Sequence, residues 1–187
     1  MILGLDISTS ITGYTIMGMD GELIELSHLD LKELKNATLW DKEDFMKENI
    51  KSISGKHEIT HVFIEEPLSK FSRGKSSSAT ISLLMRFNGI VSYIIHEHLG
   101  IDPVYYAPSA ARKMCGLKML SKTACKKQKI QWKPQKEQAF DQMNAQHPFN
   151  GTYDWPLKRT GRLKDFCYDE MDSFVIARAG FLGMNSN

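Results

Sequence analysis

Asp6 closes the apolar run "ILGLD", and Glu65 follows the apolar run "VFI". Far along the chain, Asp169 and Asp172 stand three apart in "DEMDSFVIARA", a spacing that puts both on one face of a helix. Singly, none of these acids signifies much. A carboxylate at a strand tip is usually just solvated, and an Asp at a helix start is usually a cap or a dipole partner. As an ordered set they say more. If the two strands are parallel neighbours, Asp6 and Glu65 meet at one carboxyl edge, where open α/β sheets place their sites. A helix packed there by its start would bring Asp169 and Asp172 to the same place. Converging carboxylates repel one another and call for a cation. An oxygen-only ligand set favours Mg²⁺ or Mn²⁺ over zinc. Two such ions roughly 3.5–4 Å apart can activate a water and stabilise the leaving oxygen of a phosphodiester.

The elements that must position these acids are legible in outline. "ILGLD" reads as a strand buried on both faces. "TGYTIMG" and "ELIELSHL" follow as strands joined by the Asp20-Gly21 turn signal, which gives an antiparallel meander. Leu39, Phe45, Ile50 and Ile53 recur near helical spacing. "THVFIEEP" is a strand stopped by Pro67. A long helix runs to Gly100, with apolar residues around most of its circumference. "DPVYYA" is a short strand, and Pro108 and Gly116 bracket a short helix. Ser121 caps a segment read as helical until Pro134, and a further helix runs from 135 to about 147. A loop-like stretch then leads to the terminal acidic-then-apolar helix. The expected class is α/β, a mixed five-stranded sheet flanked by helices.

Bulk properties narrow the function classes. The 187 residues fit one domain or one domain with a large insertion, and 42% hydrophobic content supports a real core. Net charge is only +2, so any nucleic-acid role must come from local clustering. Cys115, Cys125 and Cys167 form no C-x-x-C pair, which argues against a zinc finger or a disulfide framework and for a reducing cytoplasm. The start lacks a signal-peptide pattern. The stretch Ile81 to Ile95 is interrupted by Arg86, Asn88 and Ser92 and reads as too short and too polar to span a bilayer.

Basic residues cluster after the acids. Lys122, Lys126, Lys129 and Lys133 follow i, i+4, i+7, i+11, one stripe if the segment is helical. With Lys127 and Lys136 nearby and no acid between 118 and 136, the pattern suits phosphate contacts better than an ordinary mixed surface. Lys70, Phe71, Arg73 and Lys75 make a second patch, with an aromatic able to stack on an unpaired base. The alternative there is a plain surface loop. "LKRTGRLK" is a third patch.

The motifs "ILGLDISTSITGY", "VFIEE", "YYAPSAARKMCG" and "DEMDSFVIARA", in that order, resemble the RuvC family of Holliday junction resolvases within the ribonuclease H-like nucleases. The resemblance spans most of the chain. It implies that Asp6, Glu65, Asp169 and Asp172 are catalytic metal ligands, with Glu66 the alternative to Glu65. It implies two Mg²⁺ ions (Mn²⁺ able to substitute), a homodimer, no membrane, and four-way or other branched DNA nicked on opposing strands. Lys126 is the candidate for the family's basic residue near the scissile phosphate. The helix from Ala79 to His96 is read either as the dimer interface or as the central core helix, and Gly89 would permit close approach of a second backbone. The chain departs from the family at Ile7-Ser8-Thr9-Ser10, where Pro-Gly is usual, and in a longer connection at about 134–164 within an expected single domain, 1–187. Both departures suit a divergent, phage-encoded member and leave flaps and forks open as substrates. "GLDISTSITGY" also resembles the first phosphate loop of sugar kinases and actin-like ATPases, although no second phosphate loop is visible. A non-catalytic DNA-binding protein on the same fold is the other alternative.

Overall fold

The computed structural model describes residues 1–34, 36–67, 77–147, 149, 153 and 155–186. Its first three strands, β1 (Ile2–Asp6), β2 (Ile11–Met17) and β3 (Leu23–Asp30), form the expected meander. Gly21 takes the left-handed φ of 87° in the β2–β3 turn, a conformation that costs glycine nothing. Helix α1 (Leu39–Lys56) begins with a capping box in which the Thr38 side chain and Asp41 satisfy each other's backbone amides. Strand β4 (His61–Glu65) then returns parallel to β1. The long helix α2 (Ser78–Leu99) stops at Gly100, left-handed at φ 66°. Strand β5 (Val104–Tyr106) adds parallel to β4, and the sheet order is β3-β2-β1-β4-β5. Four helices follow among the described residues: α3 (Pro108–Met114), α4 (Lys122–Gln128), α5 (Gln135–Gln146) and α6 (Phe166–Met184).

The sheet separates two apolar clusters. On one side Leu3, Leu5, Ile16 and Ile64 pack with Met46 and Ile50 of α1 and with Phe87, Val91, Ile94 and Ile95 of α2. On the other, Ile2, Met17 and Phe63 pack with Met171, Phe174, Val175 and Ile176 of α6 and with Phe140 and Met143 of α5. Strands β1 and β2 are buried on both faces, which is why "ILGL" shows no alternation.

By length and composition α2 is apolar enough to cross a membrane, contrary to the sequence reading of its central stretch. The difference arises because the helix extends beyond Ile81–Ile95 at both ends. Its inward residues nevertheless complete the core against the sheet, as in many soluble core helices. Its apolar residues do not all find cover: Leu83, Met85 and Tyr93 are exposed.

Helix α6 is held against the sheet by more than apolar contact. Buried Glu170 accepts a hydrogen bond from the Tyr153 hydroxyl and lies 2.7 Å from His28 Nδ1 on β3. Thr15 of β2 and Ser173 of α6 share a buried hydroxyl contact of 2.8 Å. These bonds fix the rotation of α6, and so which of its residues face the strand ends.

Candidate active site

The parallel β1–β4 register pairs Leu5 with Ile64, so the next residues, Asp6 and Glu65, emerge side by side at the carboxyl edge. The other two acids arrive through backbone proximity. A Cβ on Gly13 of β2 would stand 2.1 Å from the Asp169 carbonyl oxygen, and one on Gly4 of β1 would stand 2.6 Å from that of Ser173. Only glycine permits α6 to lie this close to the strands. The helix thereby delivers Asp169 and Asp172 beside Asp6. Carboxylate oxygens of Asp6, Glu65 and Asp172 all lie within 4.8 Å of one another.

Among the described residues, two cations face this cluster. Arg112, the arginine of "APSAARKMCG", donates to Asp172 Oδ1 at 3.0 Å; both side chains are buried. Lys136, at the start of α5, places its Nζ 2.9 Å from Asp169 Oδ1, 3.1 Å from Asp172 Oδ2 and 3.6 Å from Asp6 Oδ2. From the sequence alone Arg112 has no assigned role, and Lys136 is only one of several neighbouring lysines. The signal for Arg112 lay in the segment "YYAPSAARKMCG", where it stands about one turn into the short helix that follows a strand end.

The electrostatics are those of crowded, buried acids. Burial pushes the Asp6 carboxyl up to about 7, with Asp172 and Asp169 adding to the effect and Lys136 opposing it. Burial pushes Glu65 up to about 9, reinforced by Asp6 and Asp172. Asp169 is raised by burial as well, against the pull of Lys136. Partial burial works against the Lys136 ammonium, but Asp6, Asp172 and Asp169 outweigh it and hold its pKa above the ordinary lysine range. Asp172 Oδ2 is fully buried yet accepts no hydrogen bond. Its nearest cation is the Lys136 ammonium at 3.1 Å, and its surroundings of converging carboxylates fit a hard divalent cation. Asp6, Glu65, Asp169 and Asp172 are the residues that could hold one.

The turn after Asp6 is built from its own hydroxyls. Ser8 Oγ donates to the Ile11 carbonyl at 2.6 Å and accepts from the Ser10 and Ile11 amides. Buried Lys42 of α1 donates to the Thr9 carbonyl at 2.6 Å. Ser8 is thereby committed to shaping the turn rather than to a phosphate. A cleft of about 200 Å³ lies over the acids, lined by Asp6, Ser8, Glu65, Leu84, Lys136 and Asp169. It shares Glu66 and Pro67 with a groove of about 470 Å³ that carries Arg112, Lys113, Ser109 and Gln135. Glu66 is exposed on this boundary.

The lysine stripe requires correction. Helix α4 ends at Gln128, not Pro134. Lys129 turns left-handed at φ 56°, the Ile130 amide bonds the Cys125 carbonyl and the Lys129 amide bonds that of Lys126. This is the Schellman pattern, here closed without glycine, at a cost of roughly 1–2 kcal/mol. Lys122, Lys126, Lys129 and Lys133 therefore do not share one helix face. Lys122 lies over the Trp132 ring, 4.5 Å from its centroid, and Lys133 pairs with Asp141 on α5. Lys126 is exposed and makes no ion pair with the four acids among the described residues. Among the described residues, Lys136 rather than Lys126 is the lysine at the acids. Lys70, Phe71, Arg73 and Lys75 lie outside the described residues.

Neither a family model nor a curated protein sequence matches this chain. Solved structures do. Thermus thermophilus RuvC in complex with a Holliday junction substrate aligns over 99% of this chain and 95% of its own, at a TM-score of 0.66 and 11% identity. A second Thermus thermophilus RuvC structure aligns at a TM-score of 0.63 and 12% identity, covering 98% of this chain and 95% of its own. The yeast mitochondrial Holliday junction resolvase Ydc2 aligns over 97% of this chain and 77% of its own, at 0.55 and 15%. At such identities the likeness establishes architecture, and on it this α/β chain, with its mixed five-stranded sheet, has the RuvC-like form of the ribonuclease H-like fold.

Proposed function

We propose that this protein is a divalent-metal-dependent endonuclease that cuts branched DNA, four-way junctions above all. The observation that carries the reading is the convergence of carboxylate oxygens from β1, β4 and α6 within 4.8 Å, on the fold that the resolvases share. Two Mg²⁺ ions, or Mn²⁺ in their place, would supply an activated water and neutralise the charge of the leaving oxygen.

The chain's own residues divide the remaining work. Asp6, Glu65, Asp169 and Asp172 hold the ions. Arg112 fixes the orientation of Asp172 from behind and, with Lys113, makes the adjoining groove attractive to a phosphodiester backbone. Lys122, Lys126 and Lys127 on α4 and the left-handed Lys129 offer further exposed positive charge, and sequence-independent phosphate contacts require no common helix face. Lys70, Phe71, Arg73 and Lys75 follow Glu65 closely enough in sequence to reach the same DNA.

The exposed Met85, Gly89 and Tyr93 on α2, next to the exposed Val104 and Tyr105 of edge strand β5, make an apolar surface. Among the described residues, nothing beyond the adjoining residues and the helix's own backbone lies within 4 Å of where a Gly89 Cβ would be. A second copy of the chain fits this surface, giving two active sites for two opposing strands. Met85→Asp/Tyr93→Asp should sediment as a monomer while the wild type sediments as a dimer, and a monomeric wild type would refute the assignment.

Asp6→Asn is the direct test of activity. Loss of partners outside the ligand shell alone costs about 10–100-fold, so removal of a ligand should reduce Mg²⁺-dependent cleavage of a synthetic four-way junction by more than about 100-fold. Binding in a gel shift should persist. Cleavage by the variant at the wild-type rate would overturn the metal-site reading.

A further inference from the structure

Lys136 stands where a cation of the acid cluster would stand. Its Nζ is 2.9 Å from Asp169, 3.1 Å from Asp172 and 3.6 Å from Asp6, three acids drawn from β1 and α6. We infer that the Lys136 ammonium is an internal counter-ion that competes with divalent metal for these carboxylates and withdraws when the metal is taken up. The inference rests on the metal-site reading above and adds a residue that works against metal affinity.

Four features of the chain support it. First, the two cations at the site differ in freedom. The Arg112 side chain is 9% exposed and the Lys136 side chain 48% exposed, so one is fixed in the protein interior and the other has room to leave. A lysine carries its charge on a flexible four-carbon stem, and no backbone rearrangement is needed for it to swing. Second, the two cations satisfy Asp172 unequally. Asp172 Oδ1 accepts a hydrogen bond from Arg112, whereas Oδ2 accepts none although Lys136 Nζ is 3.1 Å away. The ammonium supplies charge at this oxygen without supplying a directed bond, and the oxygen remains available to a ligand of better geometry.

Third, the helix does not hold Lys136 in place. Lys136 is the second residue of α5, after a Pro134 N-cap that makes no side-chain capping bond. A positive charge in the first helical turn opposes the helix dipole. Among the described residues the acids alone hold the ammonium where it is, and a stronger cation at the acids would release it. Fourth, there is a place for it to go. Lys136 lines the cleft over the acids, and its neighbour Gln135 lines the wider groove alongside.

The consequence is opposite in sign to the loss of a ligand. Removing Lys136 leaves the acids more negative and open to metal. Removing an acid leaves fewer oxygens to bind it. A unit charge at this range alters the affinity of a carboxylate site for a competing cation by roughly 10–1,000-fold.

Calorimetric titration of Mn²⁺ into the wild type, Lys136→Met and Asp169→Asn separates the possibilities. Lys136→Met should bind Mn²⁺ at least about tenfold more tightly than the wild type, and Asp169→Asn should bind it more weakly. Equal or weaker binding by Lys136→Met, with wild-type binding intact, overturns the counter-ion role and leaves the metal site standing. Absence of Mn²⁺ binding by wild type and variants alike overturns both. A second measurement needs no variant: amine labelling of the wild type read by mass spectrometry. The Lys136 amine should be protected without metal and become several-fold more reactive with Mg²⁺. Unchanged reactivity across a titration that saturates the site overturns the proposal.

Discussion

The acid edge and the α4–α5 segment sit next to each other and are built in opposite ways. At the acid edge the strands are buried on both faces, α6 touches them backbone to backbone at Gly4 and Gly13, and each carboxylate is placed by packing. In α4–α5 the helices are short, their lysines are exposed, and several rest on one partner each, such as Trp132 beneath Lys122 or Asp141 beside Lys133. Charge confined in a rigid, desolvated site has large energetic consequences, whereas the same charge on a solvated surface acts through the screened field it makes. Lys136 belongs to the exposed segment in sequence and to the rigid site in space, which is why its behaviour connects the two.

That contrast can be tested by perturbing each side. Arg112→Met should have the largest effect on stability, because it strands a buried Asp172. Breaking such a pair costs about 3–5 kcal/mol, measurable by urea denaturation. Asp172→Asn added to Arg112→Met should recover much of the loss. A cost below 1 kcal/mol for Arg112→Met would place this pair with ordinary surface bridges and erase the distinction.

A smaller effect should appear in the pH dependence of the metal-free protein. The folded-state pKa values of Asp6 and Glu65, about 7 and about 9, lie above their ordinary values of 3.8 and 4.5. The folded protein therefore holds protons that the unfolded chain has lost, and these groups contribute stability that falls as pH rises. Each contributes a slope of at most about 1.4 kcal/mol per pH unit. Between pH 5 and pH 9 the melting temperature should decline without metal, and saturating Mg²⁺, which favours the ionised forms, should flatten or reverse the decline. A metal-free melting temperature that rises steadily over that range would contradict the crowded-acid description.

The smallest stability effect belongs to the exposed lysines. Lys122→Ala/Lys126→Ala/Lys129→Ala should leave the unfolding free energy within about 1 kcal/mol of wild type. It should still weaken junction binding and lower the slope of log affinity against log salt by up to about 3. An unchanged slope would remove α4 from the DNA surface.

Much of this was legible in the residues. The meander, the order of strands and helices, the caps at Ser121 and Gly100, and the strand-final positions of Asp6 and Glu65 all follow from period, turn chemistry and breaker residues, which act over a few neighbours. The end of α4 was not legible. No glycine or proline marks residue 129, and the stop depends on a left-handed lysine held by a Schellman pair of hydrogen bonds. Nor was the exposed half of α2 legible, since an apolar circumference does not say which side the sheet will cover.

The sequence by itself determined which acids could form the site and which elements carry them, because strand-end and i, i+3 positions are local properties of the chain. Only the tertiary structure decided which cations meet those acids. Arg112 lies 60 residues from Asp172 and Lys136 lies 33 from Asp169, and no local pattern distinguishes Lys136 from the lysines around it. The choice was made by the packing of α3, α5 and α6 at one sheet edge, where the pull of three carboxylates outweighs the cost of burial and holds a lysine from the start of a helix beside them.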